Sequence, residues 1–112
     1  EVHIEEGQEV DGRIDILLTG CSDIGQRFGI AIENKIYARD GRQQLYRYWK
    51  FLEENFNGSY EVDSVPDRLY YLYYLTLKGD PPSRKSVEGF SLDEIKLIRK
   101  KDQKTPVHRV SY

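Results

Sequence analysis

The chain has no methionine and a single cysteine, Cys21, among its 112 residues. One cysteine cannot form a disulfide within the chain, so the sequence is typical of a reducing compartment and predicts a cytoplasmic protein. No apolar run approaches the roughly 20 residues that a membrane-spanning helix needs. The first residues are acidic and do not resemble a secretory signal. The sequence therefore excludes a disulfide scaffold and predicts no association with a membrane.

The missing methionine also bears on how much of the domain is present. Because the chain lacks an initiator residue, we expect it to be a processed product or a piece of a longer protein. Its length suits one domain and not two. Hydrophobic residues make up 38% and charged residues 32% of the chain, which is the composition of a globular domain with a wet surface.

The chain has little net charge, a formal −2, but the charge is unevenly distributed. Residues 1–40 carry a net −5, residues 41–83 a net −1 and residues 84–112 a net +4. The near-neutral total argues against a polycation that coats nucleic acid, and it leaves room for a local basic surface. An acidic front and a basic tail indicate either different partners at the two ends or simply a solvated surface.

Two strands are predicted in the first third of the chain. Residues 13–19 alternate and are rich in β-branched side chains, and residues 28–32 are apolar and lead into Glu33-Asn34-Lys35. We expect these two strands to form an antiparallel hairpin whose long link spans residues 20–26. A short β-prone stretch at residues 2–4 precedes a polar turn at residues 5–12.

The middle of the chain predicts a helix followed by a strand. Asp40 is a good N-cap residue, and residues 41–56 have helical spacing with an apolar stripe of Leu45, Trp49, Leu52 and Phe56. Residues 57–59 end the helix. Residues 69–77, LYYLYYLTL, form a nearly continuous apolar run, which is typical of a strand covered on both faces.

The last third predicts a second helix and a final strand. Ser91 and Glu94 have the spacing of a capping box, and Phe90 and Ile95 flank it as a hydrophobic staple. We therefore expect a short helix over residues 92–101 and a strand over residues 107–111. A helix between strands predicts a mixed sheet with helices packed against it.

The residues that carry chemistry concentrate at the ends of the two hairpin strands. Residues i and i+2 of a strand project to one face, so Glu33 and Lys35 point the same way, and a paired Asp15 would converge on Glu33. Two carboxylates at a strand end suit Mg²⁺ or Mn²⁺, which also keep waters and accept phosphate oxygens. A neighbouring lysine supplies positive charge for a phosphate or an attacking hydroxide.

A purely structural interpretation of the same residues is a salt bridge. Asp15 and Glu33 each lie beside apolar strand residues, where burying an unpaired carboxylate costs several kcal/mol. Pairing of Asp15 or Glu33 with Arg13 or Lys35 would remove that cost without any catalytic role.

The predicted helix adds Gln44 and Tyr48, which lie four residues apart and therefore share one face. That face looks back at the carboxylates. The alternative is that Gln44 caps backbone groups while Tyr48 packs in the core. Four cations lie on or near the first turns of the helix: Arg39, Arg42, Arg47 and Lys50. They either hold phosphates or are ordinary exposed charges.

Together these residues resemble a known family, the PD-(D/E)XK nuclease superfamily. The resemblance is carried by three motifs: Asp15, Glu33-Asn34-Lys35 and Gln44-Leu45-x-x-Tyr48. The phrases GRIDILL, IAIENKIYARDGRQQLYRYWKFL and YLTLKG resemble an uncharacterised bacterial branch of this superfamily. QLYRY also matches the Q-h-x-x-Y motif of RecB-like nucleases. The resemblance covers about residues 1–80, and residues 84–112 look like an added basic segment of a single domain.

The resemblance implies a fold. We expect an α/β, restriction-endonuclease-like mixed sheet with flanking helices and an αβββαβ core. The first helix of that core has no counterpart before Val2, so we expect this single domain, residues 1–112, to be truncated and the isolated chain to be an incomplete nuclease.

The resemblance also implies roles for the site residues. Asp15, Glu33 and the backbone carbonyl of Asn34 would bind Mg²⁺ or Mn²⁺. Lys35 would orient or activate the attacking water, with Gln44 positioning Lys35 or the substrate. Tyr48 would support the substrate side.

The function implied is metal-dependent hydrolysis of phosphodiester bonds in nucleic acid, DNA rather than RNA. One alternative is a nuclease-like domain without catalysis that binds nucleic acid. Another is a homodimeric interaction domain in which the tyrosine-rich strand and the helix stripe form the interface, since a truncated fold would expose those apolar faces.

Overall fold

A computed structural model describes residues 2–9, 13–21, 26–35, 41–56 and 69–111 of the chain. The helices and strands are, in chain order, β1 (Val2–Glu9), β2 (Arg13–Cys21), β3 (Arg27–Asn34), α1 (Gln44–Phe56), β4 (Tyr70–Thr76), α2 (Leu92–Lys100) and β5 (Val107–Ser111). None of the described helices is long and apolar enough to cross a membrane.

The strands form one mixed sheet in the order β1-β2-β3-β4-β5. β1 to β3 pair antiparallel, which confirms the predicted β2–β3 hairpin, whereas β4 and β5 join β3 in parallel. The carboxyl ends of β3, β4 and β5 therefore share one edge of the sheet, called here the carboxyl edge. This α/β architecture with flanking helices confirms the restriction-endonuclease-like fold.

The hydrophobic core lies between α1 and one face of the sheet. The predicted apolar stripe of α1 is confirmed, since Leu45, Trp49, Leu52 and Phe56 are all buried. Each such side chain contributes about 1.5–3 kcal/mol to the stability of the fold. The strands supply Ala31, Leu72 and Tyr74 to the same core cluster. The sequence pattern therefore predicts which face of α1 packs inward.

The tyrosine-rich strand β4 is fully buried on one face only. Leu72, Tyr74 and Thr76 are buried, and the residues between them are half-buried. The expectation of complete cover on both faces is wrong. On the second face Tyr71 and Tyr73 lie against His108 of β5, with ring centroids 6.0 Å and 5.3 Å from the imidazole. Tyrosine suits such a face because its ring is apolar and its hydroxyl is polar.

The predicted boundaries differ from the observed ones at three places. β1 runs through residues 5–9, so a turn there is wrong; β1 is a charged edge strand paired along its length with β2. β2 extends through Cys21, and residues 22–25 of the predicted link lie outside the described residues. The helix predicted from residue 41 begins at Gln44, while the expected cap Asp40 and the stop at 57–59 are likewise undescribed.

The basic C-terminal segment is integrated into the fold. Ser91 and Glu94 form the predicted capping box, with bonds of 3.1 Å and 2.9 Å, and α2 follows directly. β5 extends the sheet beside β4. Ile98 and Val107 are 1% and 0% exposed and belong to the same core cluster as α1. The segment interpreted from sequence as an addition thus completes the sheet and the core.

Candidate active site

The β2–β3 register brings the two predicted carboxylates together. Ile16 lies opposite Ile32, and continuing this antiparallel register by one residue places Asp15 opposite Glu33. Side chains at such positions share a face, with Cβ atoms about 4.5–5.5 Å apart. The Asp15 carboxylate also accepts a hydrogen bond of 2.9 Å from the backbone N–H of Asn34, through Oδ2. Asp15 is therefore anchored beside the metal-binding candidate that precedes Asn34.

Glu33 and Lys35 form a buried ion pair at the carboxyl edge. The Lys35 ammonium lies 3.1 Å from Glu33 Oε1, and the two side chains are 9% and 2% exposed. The backbone N–H of Lys35 donates to the carbonyl of Leu75 at 2.9 Å, which fixes the lysine against β4. The salt-bridge interpretation thus holds for Glu33 and Lys35. The same ion pair also fixes the position of the ammonium relative to the carboxylate.

Gln44, the first residue of α1, joins the helix to the carboxylates. Its amide nitrogen donates to Glu33 Oε1 at 3.2 Å and to the Tyr48 hydroxyl at 2.9 Å. Its amide oxygen accepts from the backbone N–H of Gly41 at 3.0 Å. Gln44 therefore caps the backbone and faces the site at once, so the two interpretations of this residue are both correct.

Tyr48 is completely buried below Gln44. Burial above all, together with the negative charges of Glu33 and Asp15, raises the pKa of the Tyr48 phenol to about 12. The hydrogen bond from Gln44 and the charge of Arg47 act in the opposite direction. Tyr48 is therefore a neutral phenol at ordinary pH.

The start of α1 is held by backbone carbonyls from residues 83–90, called here the capping loop. Gln43 N–H donates to the Lys85 carbonyl at 2.7 Å, and Leu45 N–H donates to the Ser86 carbonyl at 3.1 Å. These are donors that a helix leaves without partners in its first turn. Because these two bonds flank Gln44 along the backbone, the capping loop sets the position of Gln44 relative to Glu33.

The capping loop also packs tightly beside the helix that it caps. Ser86 is 0% exposed, and the rings of Tyr46 and Phe90 meet edge to face at 5.2 Å. Gly89 has a positive φ of 111°, and a Cβ atom there would lie 2.3 Å from the Tyr46 ring. A glycine is therefore required at this position by both backbone conformation and space.

A comparison with models of protein families identifies the family of this chain. A family model of the PD-(D/E)XK nuclease superfamily matches the chain over residues 1–112. The chain belongs to the PD-(D/E)XK nuclease superfamily. The match extends past the residues that carry the resemblance in sequence and includes the capping loop, α2 and β5. Comparisons with curated proteins and with solved structures return no match.

Membership of the PD-(D/E)XK superfamily supports function at a coarse level. Its members are generally nucleases, typically with divalent metals, so a phosphodiesterase activity on nucleic acid is supported for this chain. The oxygen donors of this PD-(D/E)XK chain fit such a metal. Asp15, Glu33 and the Asn34 carbonyl are hard ligands, and Mg²⁺ commonly takes one or two carboxylates and completes its shell with water.

A site made of three or more His, Cys, Asp or Glu side chains does not occur among the described residues. Asp15 and Glu33 supply two carboxylates, and a further protein donor at this place would be an oxygen of another kind, such as the carbonyl of Asn34. Such a set leaves positions for water and phosphate oxygens, which is the requirement of a hydrolytic magnesium site.

The structure describes one of the two predicted phosphate-binding arginines. Arg39 lies outside the described residues. The Arg42 side chain is 78% exposed and pairs with Glu88 of the capping loop at 3.2 Å. Lys50, further along the helix, forms a surface pair with Glu53 at 3.0 Å.

Arg47, which the sequence offers either as a phosphate-holding cation or as an ordinary exposed charge, is half-buried. Its Nη2 lies 3.9 Å from the position that a Cβ on Gly41 would occupy, and the Gln44 Oε1 lies 3.8 Å from the same point. Its charge also acts on Tyr48. Arg47 is three residues from Gln44 and so shares its helix face.

Proposed function

We propose that this PD-(D/E)XK chain is a Mg²⁺-dependent nuclease that hydrolyses phosphodiester bonds in DNA. The observation that carries the proposal is the convergence of Asp15, Glu33 and Lys35 at the carboxyl edge, with Gln44 bonded to Glu33. Superfamily membership supports a nucleic-acid substrate. The choice of DNA over RNA rests on resemblance to the bacterial nuclease branch.

The carboxylates and the lysine divide the work between them. Asp15, Glu33 and the carbonyl of Asn34 would hold the divalent ion, which when bound supplies positive charge to the oxygens that gain negative charge during hydrolysis. Lys35 is held in place by its ion pair with Glu33 and its backbone bond to Leu75. From there its ammonium orients the attacking water or a phosphate oxygen.

Gln44 and Tyr48 position this centre from below. Gln44 keeps the Glu33 carboxylate in one orientation by donating to Oε1. Tyr48, predicted from sequence on the substrate side, is fully buried and accepts a hydrogen bond from Gln44. We therefore assign Tyr48 a positioning role through Gln44, because a buried phenol does not contact a bound strand.

Cleavage assays with two site variants test the proposal. The purified protein is incubated with plasmid DNA, single-stranded DNA and RNA in Mg²⁺, Mn²⁺ or EDTA, beside Glu33→Gln and Lys35→Met. We expect metal-dependent cleavage of DNA that falls at least about 100-fold in each variant, the order of effect of removing one preorganised charged group. Lys50→Met, which removes a lysine from a surface pair, is the matched control and should retain activity.

Folding of the variants must be checked, because Lys35→Met leaves the buried Glu33 carboxylate without its cation. Breaking a buried pair in this way costs about 3–5 kcal/mol. The double variant Glu33→Gln/Lys35→Met removes both charges and should regain stability while remaining inactive. Cleavage that survives both single substitutions would contradict the site. DNA binding without cleavage by the wild type would favour a catalytically inactive nucleic-acid-binding domain.

A further inference from the structure

The capping loop carries two exposed cations, Arg84 and Lys85, on a backbone that is bonded to the start of α1. Its backbone is fixed by bonds from Gln43 to the Lys85 carbonyl at 2.7 Å and from Leu45 to the Ser86 carbonyl at 3.1 Å. The residue between Gln43 and Leu45 is Gln44, whose amide contacts Glu33. The carbonyl of Lys85 is therefore bonded to the residue that precedes Gln44, and Arg84 precedes Lys85 in the chain.

The capping loop contains a buried part, called here the anchor, and an exposed pair of cations. Ser86 and Val87 are 0% and 3% exposed, whereas Arg84 and Lys85 face solvent. The anchor is further tied by a bond from Ser86 N–H to the Ser83 hydroxyl at 3.3 Å. Two exposed side chains thus stand on a backbone that is bonded to α1.

The charge of the exposed pair is not cancelled within the part of the chain that the structure covers. No hydrogen bond or ion pair joins the Arg84 or Lys85 side chain to another described residue. The nearest acid along the loop, Glu88, is paired with Arg42 at 3.2 Å. Positive charge of this kind, carried near the start of α1, would offset the repulsion between the site carboxylates and a phosphate backbone.

We propose that Arg84 and Lys85 are a phosphate-binding element that holds the nucleic-acid strand beside the active site. The proposal rests on the nuclease function proposed above, and it identifies the residues that bind the phosphates of the nucleic-acid substrate. Contacts of this type go to the sugar-phosphate backbone, fix the register of the strand and carry no base information. Each contact releases counterions, so it adds to the salt dependence of binding.

The test compares two double variants of equal charge change. Arg84→Gln/Lys85→Gln removes the proposed element, and Lys96→Gln/Lys100→Gln removes two exposed cations from α2. Binding of fluorescein-labelled single-stranded and duplex oligonucleotides is measured in EDTA, without cleavage, over a series of KCl concentrations. Thermal unfolding of all three proteins should match, because the carbonyls that cap α1 remain.

We expect the loop variant to bind about 10-fold more weakly near 0.1 M salt, roughly the effect of losing two phosphate contacts. Its slope of log affinity against log salt should fall by about 0.9 for each lost contact on duplex and 0.7 on single strands. The α2 variant should change affinity less than about 2-fold. In cleavage assays, the loop variant should raise KM and leave kcat unchanged.

Three outcomes would overturn the proposal. Equal weakening in both double variants would indicate a general charge effect and no local element. Unchanged affinity and slope in the loop variant, with a wild type that binds and cleaves, would overturn the element and leave the nuclease function standing. A wild type that neither binds nor cleaves would overturn both proposals together.

Discussion

Gln44 concentrates much of the site in one side chain. Its amide nitrogen reaches Glu33 and Tyr48, while its amide oxygen reaches the backbone of Gly41. An amide can do this because it carries both donors and an acceptor, whereas a glutamate at the same position would repel Glu33. Gln44 therefore connects the start of the helix to the Glu33 carboxylate and to the buried phenol. Because of these bonds, a shift of α1 would also move the groups of the site.

The buried phenol gives the protein a distinct response to alkaline pH. Because the pKa of Tyr48 is about 12 in the folded chain, the unfolded chain, with a pKa near 10, releases the proton first. Stability is therefore full below about pH 10 and falls by about 1.4 kcal/mol per pH unit as the pH rises toward 12. Urea unfolding of wild type and Tyr48→Phe at pH 9 and pH 11.5 measures this.

The Tyr48→Phe variant serves as the internal control in that comparison, since all other tyrosines and lysines titrate equally in both proteins. It should lose less stability than the wild type between the two pH values. An equal loss in the two proteins would show that Tyr48 does not titrate in this range.

Single residues of the site were predictable where local geometry decides them. Glu33 and Lys35 share a face because side chains alternate along a strand, and Gln44 and Tyr48 share one because they are four apart on a helix. The location of Arg42 was not predictable. Its partner Glu88 comes from a loop 46 residues away, and no local pattern encodes that contact.

At the scale of elements, the helix start shows where sequence reasoning stops. Spacing predicts helix from residue 41, yet Gln43 has a positive φ of 54° and α1 begins at Gln44. The donors of the first turn are satisfied by the carbonyls of Lys85 and Ser86. Backbone carbonyls exist at every residue, so the sequence carries no sign of which ones will cap a distant helix.

Two glycines offer a matched test of the capping loop. Gly89→Ala forces a Cβ to within 2.3 Å of the Tyr46 ring and a strained φ of 111°, whereas the nearest atom to a Cβ on Gly41 is 3.7 Å away. We expect Gly89→Ala to lower the free energy of unfolding by about 2–4 kcal/mol and Gly41→Ala by less than about 1 kcal/mol. Urea denaturation of the two variants checks this.

Cleavage by the same two variants tests whether the capping loop affects the site. It is measured at a temperature well below the unfolding transition of each variant. The Gly89 variant should lose activity because the Lys85 and Ser86 carbonyls shift and Gln44 moves with them. Loss of stability without any loss of activity would mean that the capping loop supports the fold but does not position Gln44.

At the scale of the whole molecule, we expect the chain to unfold as one cooperative unit. β5 pairs with β4, and Ile98 and Val107 lie in the same cluster as the α1 stripe. Trp49 contacts Tyr70 and Phe90, with ring centroids 4.9 Å and 6.4 Å away, and so reports on three parts of the chain. The overall sheet class was predictable from alternating patterns, but the parallel place of β5 was not, since pairing partners are set by distant contacts.

Cooperativity of this kind is testable by urea unfolding with two probes. Trp49 fluorescence and far-UV circular dichroism should give coincident single transitions. Ile98→Ala, which opens a cavity at a side chain that is 1% exposed, should lower stability by about 2–5 kcal/mol and move both transitions together. A Trp49 transition that stays in place while the dichroism shifts would identify α2 and β5 as a separate unit.

The bonds between the capping loop and α1 also determine when the site can form during synthesis of the chain. A chain grows from its N-terminus at about 5–20 residues per second, so Asp15, Glu33, Lys35 and Gln44 leave the ribosome before Lys85 and Ser86. A nascent chain thus carries every side chain of the site seconds before it carries the carbonyls that set Gln44 in place. We therefore expect Gln44 to reach its place in the fold only after the capping loop has left the ribosome.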